Sequence, residues 1–300
     1  MNIIPKLTIG IPVYNGEKFL HKKINSILKL GYEDFEIIIS DNASEDKTKE
    51  ICKLFLKQDN RIQYFHHEKN IGPVKNFEFI LKNAKGKYFM WTAVDDIILP
   101  GFIEKNLEKL QDKKIVCSVS QVKYYGEKTN DENEKNDKGL IKKIKQNFSP
   151  LKNIPVSGKV DIKIRKYLQI RGHHHVFYGI YRTEQIKNIF VGNNFSGFDL
   201  ATILNSLKFG NIHVNNDILM YRYDGGYSSE GFFNYKKSLN LTFLQTLFHY
   251  IPFTKWFIGN FGKRIFFKNL DSLIVWNLEG IFYLTVDILR KILLSKRGYN

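Results

Sequence analysis

The sequence predicts an α/β protein with a mostly parallel, Rossmann-like central sheet flanked by helices, and a helical extension at the C-terminal end. Between residues 7 and 92, short apolar runs alternate with amphipathic helical patterns, which is typical of strand–helix–strand units. Hydrophobic residues make up 43% and charged residues 25% of the 300-residue chain, as in globular domains. The segment after residue 238 is rich in Phe, Leu, Ile and Trp with single charges between them, which predicts further helices.

The predicted elements follow one another at the spacing of a doubly wound sheet. Residues 7–13 form an apolar run with turn residues behind it, typical of a buried strand, and residues 17–29 carry apolar side chains at helical spacing. Ser44 is a candidate N-cap and predicts a helix that begins near Glu45. The remaining predicted elements are strands at 35–40, 62–66 and 88–92 and a helix at 73–83.

The middle of the chain carries much of the positive charge. Lys and Arg total 46 against 30 Asp and Glu, a net charge of +16, which favours polyanionic partners such as nucleic acid, an anionic membrane or phosphorylated substrates. Residues 123–170 lack periodicity and predict a solvated loop. Residues 138–171 contain ten basic residues and one acidic residue. This segment is therefore either a binding surface for a polyanionic partner or a solvated surface.

Neither cysteines nor the chain ends predict a special compartment. Cys52 and Cys117 have no metal-type spacing and are expected to be buried. The N-terminal residues do not resemble a secretory signal, so the cytosol is the expected compartment. The apolar C-terminal segment contains no stretch suited to span a bilayer. It is expected to lie on a membrane surface, the alternative being helices that pack on the catalytic domain or on a second subunit.

In an open parallel sheet, ligands bind outside the carboxyl ends of the strands. Four segments with polar residues follow predicted strands here, and each residue alone also has a structural explanation as a turn, a helix cap or a solvated side chain. The candidate nucleotide contacts in these segments are Pro12, Tyr14, Asn15, Asp41, Asn70, Lys75 and Asp95.

Asp95 and Asp96 are the strongest candidates, because adjacent carboxylates repel each other and here follow an apolar strand. A divalent cation would relieve that repulsion. Mg²⁺ and Mn²⁺ prefer carboxylate oxygen and commonly bridge to phosphates. The sequence lacks both the G-x-G-x-x-G and the G-x-x-x-x-G-K-[ST] patterns, which removes the main support for dinucleotide-binding and P-loop proteins.

Together these segments resemble the family 2 glycosyltransferases of the GT-A fold. The resemblance runs through TIGIPVYNGEKFL, IIISDNASEDKT, NIGPVKNF, AKGKYFMWTAVDD and LPGF; it covers residues 7–102 and continues more weakly to Ser229. It implies an inverting sugar transfer from a UDP-, GDP- or dTDP-sugar, helped by a divalent ion. By position, Pro12, Tyr14 and Asp41 would contact base and ribose, Asp95 ribose or metal, and Asp96 the metal. Many relatives have an acidic residue two positions before the last Asp of this motif, where this chain has Val94.

The resemblance also implies an acceptor side. In FSGFDLATILNSLKFGNIHV, Asp199 matches the catalytic base, although relatives often have Glu where Phe198 stands; a helix N-cap is the alternative for Asp199. His175 and Tyr178 are candidate acceptor contacts in a segment that resembles a strand of the family. Arg222 is a candidate diphosphate contact or a solvated residue. The triplet 173–175 is not expected to bind metal, since consecutive extended residues point to opposite faces.

The sequence therefore predicts a metal-dependent glycosyltransferase of hexosyltransferase type, peripheral on the cytosolic face of a membrane, that extends a lipid-linked or cell-surface glycan. Residues 1–230 would form the GT-A domain, with a nucleotide-sugar half (1–120) and an acceptor half (121–230). Residues 231–300 would form the amphipathic extension, which could also contact a second copy. Nucleic acid is not an expected partner. The alternatives are a sugar nucleotidyltransferase, and a non-catalytic membrane- or nucleic-acid-binding module on a transferase scaffold.

Overall fold

The computed structural model describes residues 5–126, 153–170, 175–223 and 250–297. Within these ranges the strands are β1 (Leu7–Val13), β2 (Phe35–Asp41), β3 (Ile62–His66), β4 (Tyr88–Trp91), β5 (Ile97–Ile98), β6 (Ile115–Tyr125), β7 (Ile180–Arg182) and β8 (Asn211–Tyr223). The helices are α1 (Glu17–Leu28), α2 (Thr48–Gln58), α3 (Pro73–Asn83), α4 (Phe102–Lys109), α5 (Val160–Gln169), α6 (Thr183–Ile189), α7 (Phe198–Ser206), α8 (Ile251–Lys268) and α9 (Leu270–Arg297). A short 3₁₀-helix spans His175–Tyr178.

All eight strands join one sheet in the order β3-β2-β1-β4-β7-β6-β8-β5. The first four are parallel to one another, and β6 is parallel to β8. The short strand β7 runs antiparallel between β4 and β6. The predicted mostly parallel sheet is thus confirmed, and the antiparallel β7 joins the first four strands of this order to β6, β8 and β5.

The strand register explains why polar residues collect at one edge of the sheet. In β1 and β2, Leu7 pairs with Phe35 and Val13 pairs with Asp41, so both strands end at the same level. All seven residues of β2 are buried, because helices cover both faces of the sheet. The backbone therefore brings the segments after β1, β2, β3 and β4 to one crevice, as expected for an open parallel sheet.

Three local predictions are wrong. Helix α2 begins at Thr48 rather than near Glu45, because the Ser44 hydroxyl accepts a hydrogen bond from the backbone N–H of Asn15 (2.8 Å) instead of capping the helix. The predicted loop 123–170 contains the end of β6 and the helix α5. The buried face of α5 includes Lys163 beside apolar residues, so the sequence pattern does not look amphipathic. Residues 127–152 lie outside the described residues. The strand expected near 176–182 is a 3₁₀-helix followed by the three-residue β7.

The C-terminal helices pack on the rest of the protein through one face. Phe253, Phe257 and Trp276 are buried in the same apolar cluster as residues of α5 and α7. The Trp276 indole Nε1 donates to the carbonyl of Leu168 (3.1 Å), and Arg165 forms a two-pronged ion pair with Asp271. Packing on the catalytic domain, the alternative to membrane contact, is therefore realised on this face.

The opposite face of α9 is apolar and exposed. Ile274, Leu278 and Ile281 are 49%, 59% and 39% exposed, at the spacing of a helical stripe. In the part of the chain that the structure describes, every helix is too short or too polar to cross a membrane. The boundary at residue 230 stays a prediction, since residues 224–249 lie outside the described ranges. Cys52 and Cys117 are both buried, as predicted.

Candidate active site

The turn after β1 is held by hydrogen bonds to the loop after β2. Asn15 adopts a left-handed backbone conformation (φ 51°), and its side-chain Oδ1 accepts from the backbone N–H of Glu45 (2.9 Å). The neighbouring Tyr14 is 41% exposed, so its ring remains available for stacking. Pro12 is half-buried in β1, opposite Ser40. Of these predicted contacts, Tyr14 and Asn15 are both exposed, and Asn15 orders the turn.

Asp41 lies at the end of β2 with a fully buried carboxylate. Its Oδ1 accepts from the backbone N–H of Ser44 (2.9 Å), while Oδ2 accepts from the Tyr64 hydroxyl (2.8 Å) and lies 3.0 Å from His66 Nδ1. Burial opposes ionisation, but the hydrogen bonds from Ser44, Tyr64 and His66 outweigh it and lower the pKa of Asp41. The group is therefore an ionised hydrogen-bond acceptor at neutral pH.

Asn70 and Lys75 lie on either side of the start of α3. The Asn70 side-chain oxygen accepts from Asn42 Nδ2 and from the backbone N–H of Gly72, both at 2.9 Å. Gly72 has a φ of 84°, a left-handed value that glycine adopts without strain. Lys75 is exposed one turn into the helix. Asn70 therefore shapes the loop, and Lys75 offers a positive charge beside it.

Asp95 and Asp96 follow β4 in a loop held from several sides. Asp96 is 2% exposed; its Oδ1 lies 3.3 Å from Arg222 Nε, and its Oδ2 is buried without a hydrogen-bond partner. The backbone carbonyl of Asp95 accepts from the Tyr125 hydroxyl (2.6 Å) and that of Asp96 from Lys23 Nζ (2.8 Å). A buried carboxylate oxygen with no donor is energetically costly, so this atom suits a cation that arrives with a ligand.

The charges around the pair are closely coupled. Burial and the adjacent Asp96 raise the pKa of Asp95, while Arg222 and Lys23 act in the opposite direction. Burial lowers the pKa of Lys23 to about 8, against the opposing effect of Asp96 and Asp95. Burial also disfavours the charge of Arg222, but Asp96, Tyr178, Tyr124 and Asp95 together outweigh burial and raise the pKa of Arg222. Two acidic and two basic side chains thus share one buried cluster.

The donor set fits a hard divalent ion bound together with phosphate. Among the described residues no group of three or more His, Cys, Asp or Glu side chains could hold a metal. The candidate protein ligands are therefore a pair of carboxylates, Asp95 and Asp96. Mg²⁺ usually binds to one or two carboxylates and completes its shell with water and substrate phosphate. Two adjacent carboxylates, one with an unpaired oxygen, meet that need.

Tyr178 is coupled electrostatically both to these carboxylates and to Asp199. The guanidinium carbon of Arg222 lies 4.5 Å from the Tyr178 ring centroid, a cation–π distance. Burial raises the pKa of Tyr178 to about 12 against the effect of Arg222, and the carboxylates of Asp96, Asp199 and Asp95 act in the same direction as burial. The phenol therefore stays protonated at neutral pH and lies within electrostatic reach of both groups.

His175 is buried beside the same region. It is 2% exposed, and its Nε2 lies 2.8 Å from the Tyr124 hydroxyl. His173 and His174, the other members of the triplet, lie outside the described residues. His175 is therefore placed to orient Tyr124.

Asp199 stands in the first turn of α7, where Gly197 is the N-cap (φ 85°). Asp199 is therefore not the N-cap, and one of its oxygens accepts from the neighbouring N–H of Leu200 (2.8 Å). The preceding Phe198 packs against the rings of Phe77 and Phe177, with centroids 5.8 and 5.7 Å away. Phe198 thus anchors the turn in an aromatic cluster, and Asp199 stays partly exposed.

Sequence reasoning did not identify three residues that shape this site, namely Lys23, Tyr64 and Tyr125. Lys23 could have been found, since it stands on the face of α1 that carries the buried Leu20, Ile24 and Ile27. Tyr64 and Tyr125 belong to strands whose side chains alternate between faces, and only the folded register shows which acceptor each hydroxyl reaches.

Comparison with known proteins agrees with this geometry. A family model described as glycosyl transferase family 2 matches residues 8–168. The glycosyltransferase GlyG of Streptococcus pneumoniae is 32% identical over 121 residues, 40% of each chain. A glycosyltransferase of Rickettsia typhi is 37% identical over 115 residues, 37% of this chain and 35% of its own length. The matched region thus spans about two fifths of these curated relatives.

Solved structures show the same fold at low sequence identity. The mannosyltransferase PcManGT from Pyrobaculum calidifontis, in complex with GDP-Man and Mn²⁺, superposes with a TM-score of 0.58 at 12% identity, over 99% of this chain and 80% of its own. Staphylococcus aureus TarS 1–349, in complex with UDP-GlcNAc, gives a TM-score of 0.52 at 18% identity, over 90% and 78%. These likenesses establish the GT-A fold.

Proposed function

Since this chain belongs to glycosyl transferase family 2, we propose that it transfers a sugar from a nucleotide-sugar to a hydroxyl group with inversion at the anomeric carbon. The donor is a UDP-, GDP- or dTDP-sugar, the cofactor is Mg²⁺ or Mn²⁺, and the acceptor is a lipid-linked or cell-surface glycan. The observation that carries the proposal is the buried, unpaired Oδ2 of Asp96 in a loop at the sheet's ligand edge. Two neighbours of the same fold hold a nucleotide-sugar, one of them with Mn²⁺.

The donor half is proposed to bind the nucleotide through the strand ends. Tyr14 stacks on the base, and Pro12 lines the edge beside it. The ionised Asp41 accepts a hydrogen bond from a ring N–H or a ribose hydroxyl. Asn15 and Asn70 keep the two flanking loops in place, and Lys75 adds a positive charge for phosphate.

Asp96, helped by Asp95, is proposed to hold the divalent ion beside the diphosphate. When bound, the ion neutralises charge on the departing nucleoside diphosphate, which is worth several kcal/mol in metal-assisted reactions. Asp95 stands next to it and is also able to accept from a ribose hydroxyl. Arg222, which lies against Asp96 and Tyr178, contributes a fixed positive charge to the leaving group.

On the acceptor side, Asp199 is proposed as the general base, with His175 and Tyr178 as acceptor contacts. The acceptor oxygen attacks the anomeric carbon from the face opposite the diphosphate and gives its proton to the Asp199 carboxylate. A new carbon–oxygen bond forms, and the bond to the diphosphate oxygen breaks with its electron pair leaving on phosphate. Such base assistance is typically worth ~10²- to 10⁴-fold in rate.

A panel of nucleotide-sugars with and without Mn²⁺, read by thermal shift, tests the donor proposal, because a ligand that binds the native state raises the unfolding temperature. We expect one nucleotide class to stabilise the wild type in a Mn²⁺-dependent way. Asp96→Asn should lose that dependence, while Asp217→Asn, a change at an exposed carboxylate paired with Lys105, should keep it. Unchanged behaviour of Asp96→Asn would refute the metal assignment.

The two alternative functions can be tested with the same purified protein. A sugar nucleotidyltransferase would turn over a nucleoside triphosphate and a sugar phosphate, but the turn after β1 reads PVYNGEKFL rather than a Gly- and Arg-rich loop. A non-catalytic module would bind nucleic acid or lipid in a salt-sensitive way without binding any nucleotide-sugar. The acidic residues Asp41, Asp95, Asp96 and Asp199 have no evident use in such a module.

The protein is further proposed to lie on the cytosolic face of a membrane through the exposed stripe of α9. Ile274 and Leu278 also line a shallow apolar groove between α8 and α9, with Lys255 at its edge. Apolar side chains flanked by basic residues suit anionic lipid. In a flotation assay, the protein should bind anionic vesicles more strongly than zwitterionic ones. The double variant Ile274→Ser/Leu278→Ser should bind anionic vesicles more weakly than the wild type. A dimer in solution that the same variant dissociates would instead assign this face to a second copy.

A further inference from the structure

Lys23 is a charged residue on a buried helix face. It is 3% exposed and shares that face of α1 with Leu20, Ile24 and Ile27. A lysine is almost never fully buried unless its ammonium group finds partners. Here Nζ donates to the Thr92 hydroxyl (2.5 Å) and to the backbone carbonyl of Asp96 (2.8 Å). Lys23 thus reaches across the molecule from α1 to the loop that follows β4.

The two acceptors stand at opposite ends of the carboxylate loop. Thr92 is the first residue after β4, and Asp96 is the last before β5. One ammonium group therefore joins both ends of the five-residue loop Thr92–Asp96, and Tyr125 holds the carbonyl of Asp95 from another side. With both backbone carbonyls engaged, the loop conformation that presents the two carboxylates depends directly on Lys23.

Lys23 also changes the charge of the cluster. Asp95 and Asp96 contribute two negative charges when ionised, and Lys23 and Arg222 contribute two positive charges, so the four side chains sum to zero. A neutral cluster exerts little net attraction on a bare divalent cation, whereas a cation that arrives with a diphosphate brings its own counter-charge.

We infer that Lys23 is a positioning and charge-compensating residue of the Asp95–Asp96 site, so that the divalent ion loads together with the diphosphate of the donor rather than ahead of it. This inference rests on the proposed function. It assigns to Lys23 two effects of opposite sign, because its charge repels a metal cation and attracts a diphosphate. A purely structural lysine would support both ligands alike.

The test compares Lys23→Met with the wild type at pH 7. The probes are Mn²⁺ alone, followed by electron paramagnetic resonance of the free ion, and UDP, GDP and dTDP without metal, followed by calorimetry. Loss of one charge should tighten Mn²⁺ binding and weaken nucleotide binding, each on the order of tenfold. Lys23→Arg should restore both affinities toward wild type. Lys22→Met, the exposed neighbour, removes the same formal charge and should change neither.

Weaker binding of both ligands by Lys23→Met would overturn the inference, as would equal effects of Lys22→Met. If Lys23→Met does not fold, Lys23→Gln carries the same loss of charge with a polar group for Thr92. Absence of nucleotide binding by the wild type with Mn²⁺ present would overturn the proposed donor instead, and the comparison with Mn²⁺ alone would still decide the role of Lys23.

Discussion

Replacing Arg222 by Met should leave Asp96 as a buried carboxylate with its side-chain ion-pair partner removed. The two side chains are 21% and 1% exposed, and Nε lies 3.3 Å from Oδ1. At an effective dielectric constant of about 20, two unit charges at that distance attract each other by roughly 332/(20 × 3.3), or about 5 kcal/mol. Breaking a buried pair by removing one partner typically costs about 3–5 kcal/mol. We therefore expect Arg222→Met to lower the free energy of unfolding by about 3–5 kcal/mol at neutral pH.

Chemical denaturation of four proteins measures this effect: the wild type, Arg222→Met, Asp96→Asn and the double variant. Because a buried pair costs desolvation energy at both partners, removing both charges should restore much of the stability that Arg222→Met loses. The interaction energy of the cycle then reports the pair itself. Equal stability of wild type and Arg222→Met, or a double variant no more stable than Arg222→Met, would refute the charge balance described here.

Three further predictions concern other parts of the protein. Asp199→Asn should reduce sugar transfer by ~10²- to 10⁴-fold with donor affinity unchanged; loss of donor affinity would instead indicate a structural role. The pKa of Asp41 is lower in the folded state than its unfolded value of about 4. Ionised Asp41 therefore stabilises the folded protein above pH ~4, and this stabilisation is lost as the pH falls through the folded-state pKa. Tyr64→Phe should cost about 1 kcal/mol at pH 7 and less at pH 3 in urea unfolding; an equal cost at both would contradict the hydrogen-bond account. Trp276→Ala should destabilise the protein by about 3–5 kcal/mol if α9 is part of the core, and a negligible change in unfolding would show that it is not.

Much of the fold of residues 1–120 could be predicted because its elements carry local patterns. The bounds of β1, β3 and α3 follow from apolar runs and from Pro73 at the start of a helix. The placement of Asp41 and Asp95 after two parallel strands that flank β1 then follows from the general rule for parallel sheets.

What could not be predicted depends on contacts between distant residues. Helix α2 begins later than predicted because the Ser44 hydroxyl accepts a hydrogen bond from the backbone N–H of Asn15, 29 residues earlier. Helix α5 was missed because one of its buried positions is Lys163, whose ammonium reaches the carbonyl of Gly210. The apolar face of α1 marks Lys23 as a buried residue, but its hydrogen-bond partners lie 69 and 73 residues away and could not be inferred from the sequence.

The central claim is that Asp96 holds a divalent ion for transfer of a sugar from a nucleotide donor. The most direct test is a sugar-transfer assay with the donor that the thermal-shift panel selects, in which nucleoside diphosphate release is followed as Mn²⁺ is titrated. We expect the wild type to release nucleoside diphosphate only with Mn²⁺ present, and Asp96→Asn to release none at any Mn²⁺ concentration. Release by the wild type in the presence of a chelator, or by Asp96→Asn at the wild-type rate, would contradict the account.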